Sequence, residues 1–348
     1  MEHLSPALLT GLLESVSRSF YWTMRVLPKD IRPQISLAYL LARATDTIAD
    51  TGLVPVEDRL GALQALRARI LGECAAPLDF GALAASQGTL GEKQLLESIE
   101  DALALLPRFS YSDQQRIREV LDVITGGQAL DLQRFGGANG EHIVALQSDA
   151  ELDDYTFRVA GCVGEFWTRL CRAHLFPNTR VNEAELLANG VRFGKGLQLV
   201  NILRDLPRDL RDGRCYIPAR RLATAGLSPA GLLDATNGPK FRALYHAHLD
   251  MAEAHLVAGW NYTNSLPRRC ARVRLACAWP VLIGLRTLRL CREANILDAS
   301  QRVKVSRGEV RSIVARTIFL YPVPSAWQRL AAKGASQFVA AQREGRTN

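Results

Sequence analysis

The chain has 348 residues, of which 48% are apolar, 22% charged and 7% aromatic, a composition suited to a globular protein with a large core. Its formal charge of +8, from 43 basic and 35 acidic residues, favours anionic partners such as phosphorylated substrates or acidic lipid. No zinc-finger, basic-zipper or RNA-motif signature accompanies that charge, so no nucleic-acid partner is expected.

The N-terminal stretch MEHLSPALLTGLLESVSRSF has an apolar run but no basic start and no small-residue cleavage site, so it does not read as a signal peptide. A helical apolar run follows from Ile35 and leads into ARATDTIADT. There Tyr39, Arg43, Asp46 and Asp50 recur at helical spacing and share one face. Gly, Pro and small residues over Ala75 to Gly91 predict a loop. Ser112-Asp-Gln-Gln115 offers a helix start, and the pattern runs on to Gly136. Further helices are expected over Asp153 to Leu175 and from about Asn182 to Arg211, with a loop over Ser228 to Lys240. The apolar run Leu275 to Leu285 is bounded by Arg274 and Arg286 and contains Pro280, which makes it too short to span a bilayer. Segment Ala326 to Val339 carries Trp327, Leu330 and Phe338 among basic residues; it is expected either to pack on the core or to lie on a membrane surface. The seven cysteines are scattered without C-x-x-C spacing and read as free thiols of a reducing cytoplasm. One all-α domain over residues 1–348 is expected, with a core over about 10–320 and a disordered tail at about 341–348.

The second aspartate pair lies in GKGLQLVNILRDLPRDLRDG. Gln198, Asn201, Asp205 and Asp209 fall on one helix face, while Leu197, Leu199, Val200, Ile202 and Leu203 fill most of the rest. Two buried helices that each present D-x-x-x-D suggest four carboxylates around a central cavity. Uncompensated, that charge would be very unfavourable. Oxygen-only ligands point to Mg²⁺, which binds through one or two carboxylates and substrate phosphates. One D-x-x-x-D in a chain this long is expected by chance; two on apolar helices, each beside an arginine, are harder to assign to a solvated surface. Pro207, between Asp205 and Asp209, removes a backbone hydrogen bond and is expected to kink the last turn.

These residues stand in a familiar order. Ser17-Arg-Ser-Phe20, Arg43-Ala-Thr-Asp46-Thr-Ile-Ala-Asp50, Tyr155-x-x-x-Val-Ala-Gly161-x-Val-Gly164, and Gln198-x-x-Asn201-Ile-Leu-Arg-Asp205-x-x-x-Asp209 with Gly213-Arg214 resemble the squalene/phytoene synthase family. The resemblance implies an all-α isoprenoid synthase bundle with a central cavity, acting as a monomer on prenyl diphosphates. It implies that Asp46, Asp50, Asp205 and Asp209 hold Mg²⁺ with Asn201, supported by Gln198. Ser17, Arg18, Ser19, Arg43, Arg204 and Arg214 would contact diphosphate oxygens, although Ser17 and Ser19 are equally suited to capping a helix. Tyr155 would face the carbocation, and Phe20 and Tyr39 would line the cavity. Val159, Ala160, Gly161, Val163 and Gly164 would form a small-residue surface along which prenyl chains approach.

SRSF with ARATDTIAD is more similar to squalene synthases than to phytoene synthases, whereas Gln128-Ala-Leu-Asp131-Leu resembles the bacterial and carotenoid branches, so the chain as a whole is most like a bacterial squalene synthase. The implied reaction joins two farnesyl diphosphates through presqualene diphosphate to squalene, using Mg²⁺ and NADPH. The alternatives are a reaction that stops at presqualene diphosphate, and dehydrosqualene or phytoene synthesis without reduction. More distant rivals are a class I terpene cyclase and an inactive helical scaffold. A cytoplasmic protein, peripherally membrane-associated if the Trp327 segment lies on lipid, is expected.

Overall fold

The computed structural model describes residues 6–17, 20–52, 54–298 and 300–332. Arg18, Ser19 and the expected disordered tail at 341–348 lie outside the described residues. Contacts gather into two compact units, one of residues 1–136 and 166–179, the other of residues 137–165 and 180–348.

The first unit contains α1 (Pro6–Ser17), α2 (Phe20–Val26), α3 (Arg32–Asp50), α4 (Val56–Leu71), α5 (Gly81–Ala85), α6 (Leu90–Glu97), α7 (Ile99–Leu103) and α8 (Tyr111–Phe135). Helix α3 starts with Pro33 in its first turn, where a missing N–H costs nothing. It buries Leu37, Leu40, Leu41, Ala44 and Ile48 against α4 and α8. Helix α8 begins at Tyr111, capped by Ser110 rather than starting near Ser112: the Ser110 hydroxyl accepts from the Asp113 N–H at 3.2 Å. Asp113 is itself buried and accepts from Gln34 at 3.2 Å, from Arg116 at 2.8 Å and from His174 at 3.0 Å. Burial alone would raise its pKa, but the bonds from His174, Gln34 and Arg116 outweigh that and lower it. The expected loop over Ala75 to Gly91 contains the short helix α5 and the first turn of α6.

The second unit is built on α11 (Glu183–Arg211), preceded by α9 (Asp149–Thr156), a π-helical turn (Phe157–Gly161) and α10 (Cys162–Leu175), whose last ten residues belong to the first unit. It continues through α12 (Ala219–Thr224), α13 (Gly238–Ser265), α14 (Ala271–Glu293), α15 (Arg307–Leu320) and α16 (Pro324–Ala332). Asn182 caps α11 as the sequence predicts, its side chain accepting from the Glu185 N–H at 3.2 Å. The only strand pairing among the described residues is a short parallel contact between β1 (Val144–Ala145) and β2 (Arg214–Cys215). Gly213, at φ 81, makes the turn into β2 with the Asn139 amide so close that a Cβ would lie 2.2 Å from it.

Helix α11 runs unbroken through Pro207. The carbonyl that Pro207 cannot serve, four residues back at Leu203, accepts instead from the Tyr245 hydroxyl of α13 at 3.0 Å. Tyr245→Phe keeps the ring and removes the donor. It is expected to cost about 1–3 kcal/mol in denaturant unfolding through the orphaned carbonyl; an unchanged midpoint would contradict this role.

Trp327 of α16 is 2% exposed and stacks on Trp260 at 5.3 Å, with its indole N–H donating to Asn264 at 2.8 Å. The Arg274 guanidinium lies over the Trp327 and Tyr321 rings. The described part of this segment therefore packs on the core, and Trp327 has no face to offer a membrane; residues 333–339, Phe338 and Val339 among them, lie outside the described residues. No described helix is long and apolar enough to cross a membrane. The seven cysteines are all free.

Candidate active site

In the first unit, the last two turns of α3 present Arg43, Asp46 and Asp50 on one face, with Tyr39 half-buried one turn earlier. The pair is not sealed: the Asp46 side chain is 49% exposed, and Asp50 is exposed. Even so, the density of protein around its carboxyl, and then the negative charge of Asp50, push Asp46 up to about 7 against the opposing pull of Arg43 and Gln128. Gln128 on α8 donates its amide N–H to Asp46, which leaves its own carbonyl oxygen buried without a partner. Arg43 reaches Glu92 of α6 at 2.5 Å and lies 4.0 Å from Asp46.

In the second unit, α11 presents Gln198, Asn201, Asp205 and Asp209 along one face, while Leu199, Val200, Ile202, Leu203, Leu206 and Leu210 are buried on the others. The stripe is open rather than enclosed, since Asn201 is exposed and the other three are half-buried. Tyr155 stacks on Tyr216 at 4.7 Å and its hydroxyl accepts from Gln198 at 3.4 Å; Asn201 donates to Gln198 at 3.5 Å. Arg204 forks onto Asp205 with contacts of 2.7 and 2.5 Å. Desolvation and then the charge of Asp205 push Asp209 up to about 7, with Arg214 and Arg208 pulling the other way.

Two arginines thus take partners other than those anticipated for a diphosphate contact: Arg43 is held by Glu92 and Arg204 by Asp205. The small residues also differ from expectation. A Cβ on Gly164 would lie 1.9 Å from the Gly190 carbonyl oxygen, and one on Gly194 would lie 2.1 Å from that of Ala160. Gly164 and Gly194 therefore allow the start of α10 and the π-turn into backbone contact with α11, while Val159, Ala160 and Val163 keep partial exposure. Ser17 and Phe20 fall in α1 and α2, but their side chains, like Arg18 and Ser19, lie outside the described residues. Sequence reasoning assigned no site role to Gln128, Glu92 or Tyr216, and gave Val159, Ala160 and Gly161 one without anticipating the π-turn they form. Only the π-turn had a local signal, the V-A-G-x-V-G spacing, and such bulges recur at functional sites.

The donor set suits a hard divalent cation. Each pair supplies carboxylate oxygens, the orphaned Gln128 carbonyl adds an oxygen beside the first, and Asp46 and Asp209 are strained toward protonation for want of positive charge. Among the described residues no three His, Cys, Asp or Glu side chains gather as a metal cage. Two-carboxylate sites are what Mg²⁺ shared with phosphate requires. Cation binding must displace the protons that Asp46 and Asp209 hold, so Mg²⁺ affinity measured calorimetrically is expected to weaken as pH falls through about 7. A pH-independent affinity would contradict this. Since both folded pKa values lie above 3.8, Asp46 and Asp209 bind more protons folded than unfolded between 3.8 and about 7, whereas His255, lowered to about 4 by burial, has the opposite sign. The stability that the two aspartates contribute therefore declines as pH rises through that window.

The squalene/phytoene synthase family model matches residues 13–309, a stretch that runs through both units. A bifunctional lycopene cyclase/phytoene synthase of Gibberella fujikuroi is 29% identical over 70% of this chain and 40% of its own length. The chain thus spans about two-fifths of that bifunctional relative. A presqualene diphosphate synthase of Zymomonas mobilis is 30% identical over 72% of this chain and 73% of its own. Among solved structures, a complex of TcSQS with the ligand BPH1237 superposes with a TM-score of 0.73 at 24% identity, covering 95% of this chain and 92% of that one. That likeness bears out the expected all-α isoprenoid synthase fold.

Proposed function

Because the chain belongs to the squalene/phytoene synthase family, whose members are prenyltransferases, we propose that it joins two farnesyl diphosphates head to head through presqualene diphosphate and reduces the product to squalene with NADPH. The observation that carries this reading is the pair of carboxylates pushed to about 7 on two helices, each flanked by arginine. Asp46, Asp50, Asp205 and Asp209, with Asn201, would hold Mg²⁺, which when bound neutralises the charge developing on the departing diphosphate.

The protein's own groups do the rest. Arg43 and Arg204 wait on Glu92 and Asp205; a diphosphate oxygen can take the same guanidinium fork, which frees Asp205 for the cation. Arg214, which already draws Asp209 down by its charge, is a further diphosphate contact, and Ser17, Arg18 and Ser19 complete the set. Tyr155, held between Tyr216 and Gln198, turns an aromatic ring toward the allylic cation. The proposed reaction requires that water be kept from that cation until the second double bond reaches it.

A second reading, in which the reaction ends at presqualene diphosphate, is favoured by the Zymomonas mobilis relative, which matches over 73% of its own length. Both readings require Mg²⁺-dependent release of pyrophosphate from farnesyl diphosphate. Absence of pyrophosphate with active Mg²⁺ would turn the reading toward the scaffold alternative. A monocyclic or linear fifteen-carbon product would favour the terpene cyclase.

A further inference from the structure

We propose that the outward face of α15 and the turn after it form a docking surface for an anionic lipid bilayer. Helix α15 holds to α14 by one side: the Trp279 indole N–H donates to Thr317 at 2.9 Å, and Arg286 pairs with Glu309 at 2.8 Å. The opposite side faces solvent with Arg311, Ser312, Ala315 and Arg316 exposed. At its last turn Phe319 is 80% exposed, the most of any large apolar side chain among the described residues, with Ile318 at 50% and Val323 at 48%. The other exposed large apolar residues stand singly along the chain, which is ordinary for a soluble protein; three within six positions are not.

Charge selects the occupant. Between residues 302 and 332 the basic side chains are Arg302, Lys304, Arg307, Arg311, Arg316 and Arg329, and all are exposed. The sole acid in that stretch, Glu309, is turned inward onto Arg286 and the Ser306 cap. Arg307, Arg311 and Arg316 have no ion pair among the described residues. Arg268 joins the same edge, donating to the Pro322 carbonyl at 3.4 Å while Tyr321 donates back to the Arg268 carbonyl. An apolar tip ringed by cations, with no outward acid, matches an acidic headgroup layer: Phe319 and Ile318 enter the interface while the guanidinium groups stay at phosphate level. The surface differs from the Trp327 segment, whose aromatic ring is buried.

The inference does not depend on the reaction proposed above, and its test uses no substrate. Full-length protein is sedimented with vesicles of phosphatidylcholine alone, and with vesicles containing about one-third phosphatidylglycerol. Wild type is expected to bind the acidic vesicles only and to be released by high salt. R311Q/R316Q is expected to weaken binding about 30-fold, roughly fivefold per lost cation. I318S/F319S is expected to weaken it by about tenfold or more through lost apolar burial. Both variants should retain wild-type helicity. Equal binding by either variant and wild type, or equal affinity of wild type for neutral vesicles, would overturn the proposal. So would a lipid-free dimer that I318S/F319S dissolves, because the face would then belong to a second copy.

Discussion

Exchange of Asp46 or Asp205 for asparagine is expected to reduce turnover by about a thousandfold or more while leaving the helical content unchanged. Asparagine keeps the size and one oxygen of aspartate but not its charge, and charge is what recruits a divalent cation. The fold has no need of either carboxylate: Asp46 is half-exposed, and burial and Asp50 already oppose its ionisation. The metal-free Asp46→Asn protein should therefore be at least as stable as wild type above about pH 7, where the aspartate carries its unfavourable charge. Added Mg²⁺ should then stabilise wild type but not the variant. Asp205→Asn also releases Arg204 from its fork. Turnover close to wild type in either variant would remove the metal assignment.

With Gly164, the largest effect on stability is expected at Gly194. An alanine Cβ there would stand 2.1 Å from the Ala160 carbonyl oxygen and 2.6 Å from its carbon, both backbone atoms of the π-turn. Backbone cannot step aside as a side-chain tip can, so α11 and the π-turn must separate, at a cost of about 3 kcal/mol or more. Gly61 on α4 is the control: nothing lies within 4 Å of where a Cβ would stand, and alanine there should stabilise by about 0.5–1 kcal/mol. Denaturant midpoints decide the matter. A Gly194→Ala midpoint near wild type would mean that the crossing is looser than its contacts indicate.

What the sequence made legible was local. Asn182 and Gly213 marked both ends of α11, and helical spacing placed each aspartate pair on one face, because caps and period are properties of neighbouring residues. Long-range partners were not legible. Nothing near Arg43 names Glu92, 49 positions away, and nothing near Asp46 names Gln128, 82 positions away. The kink expected at Pro207 overlooked Tyr245, 42 positions from Leu203, whose hydroxyl supplies the missing bond. The small residues of V-A-G-x-V-G were assigned to prenyl chains, yet Gly164 meets the Gly190 carbonyl. A small side chain signals close approach without saying what approaches. How far the polar stripes stay exposed was not legible for a related reason: an apolar helix circumference predicts which faces bury, not whether the polar stripe is covered.

The central claim is tested most directly by the products formed from farnesyl diphosphate and Mg²⁺, with and without NADPH. Squalene formed only when NADPH is present, with presqualene diphosphate in its absence, is the result expected here. A product derived from a single farnesyl unit, or no turnover in either condition, would contradict it.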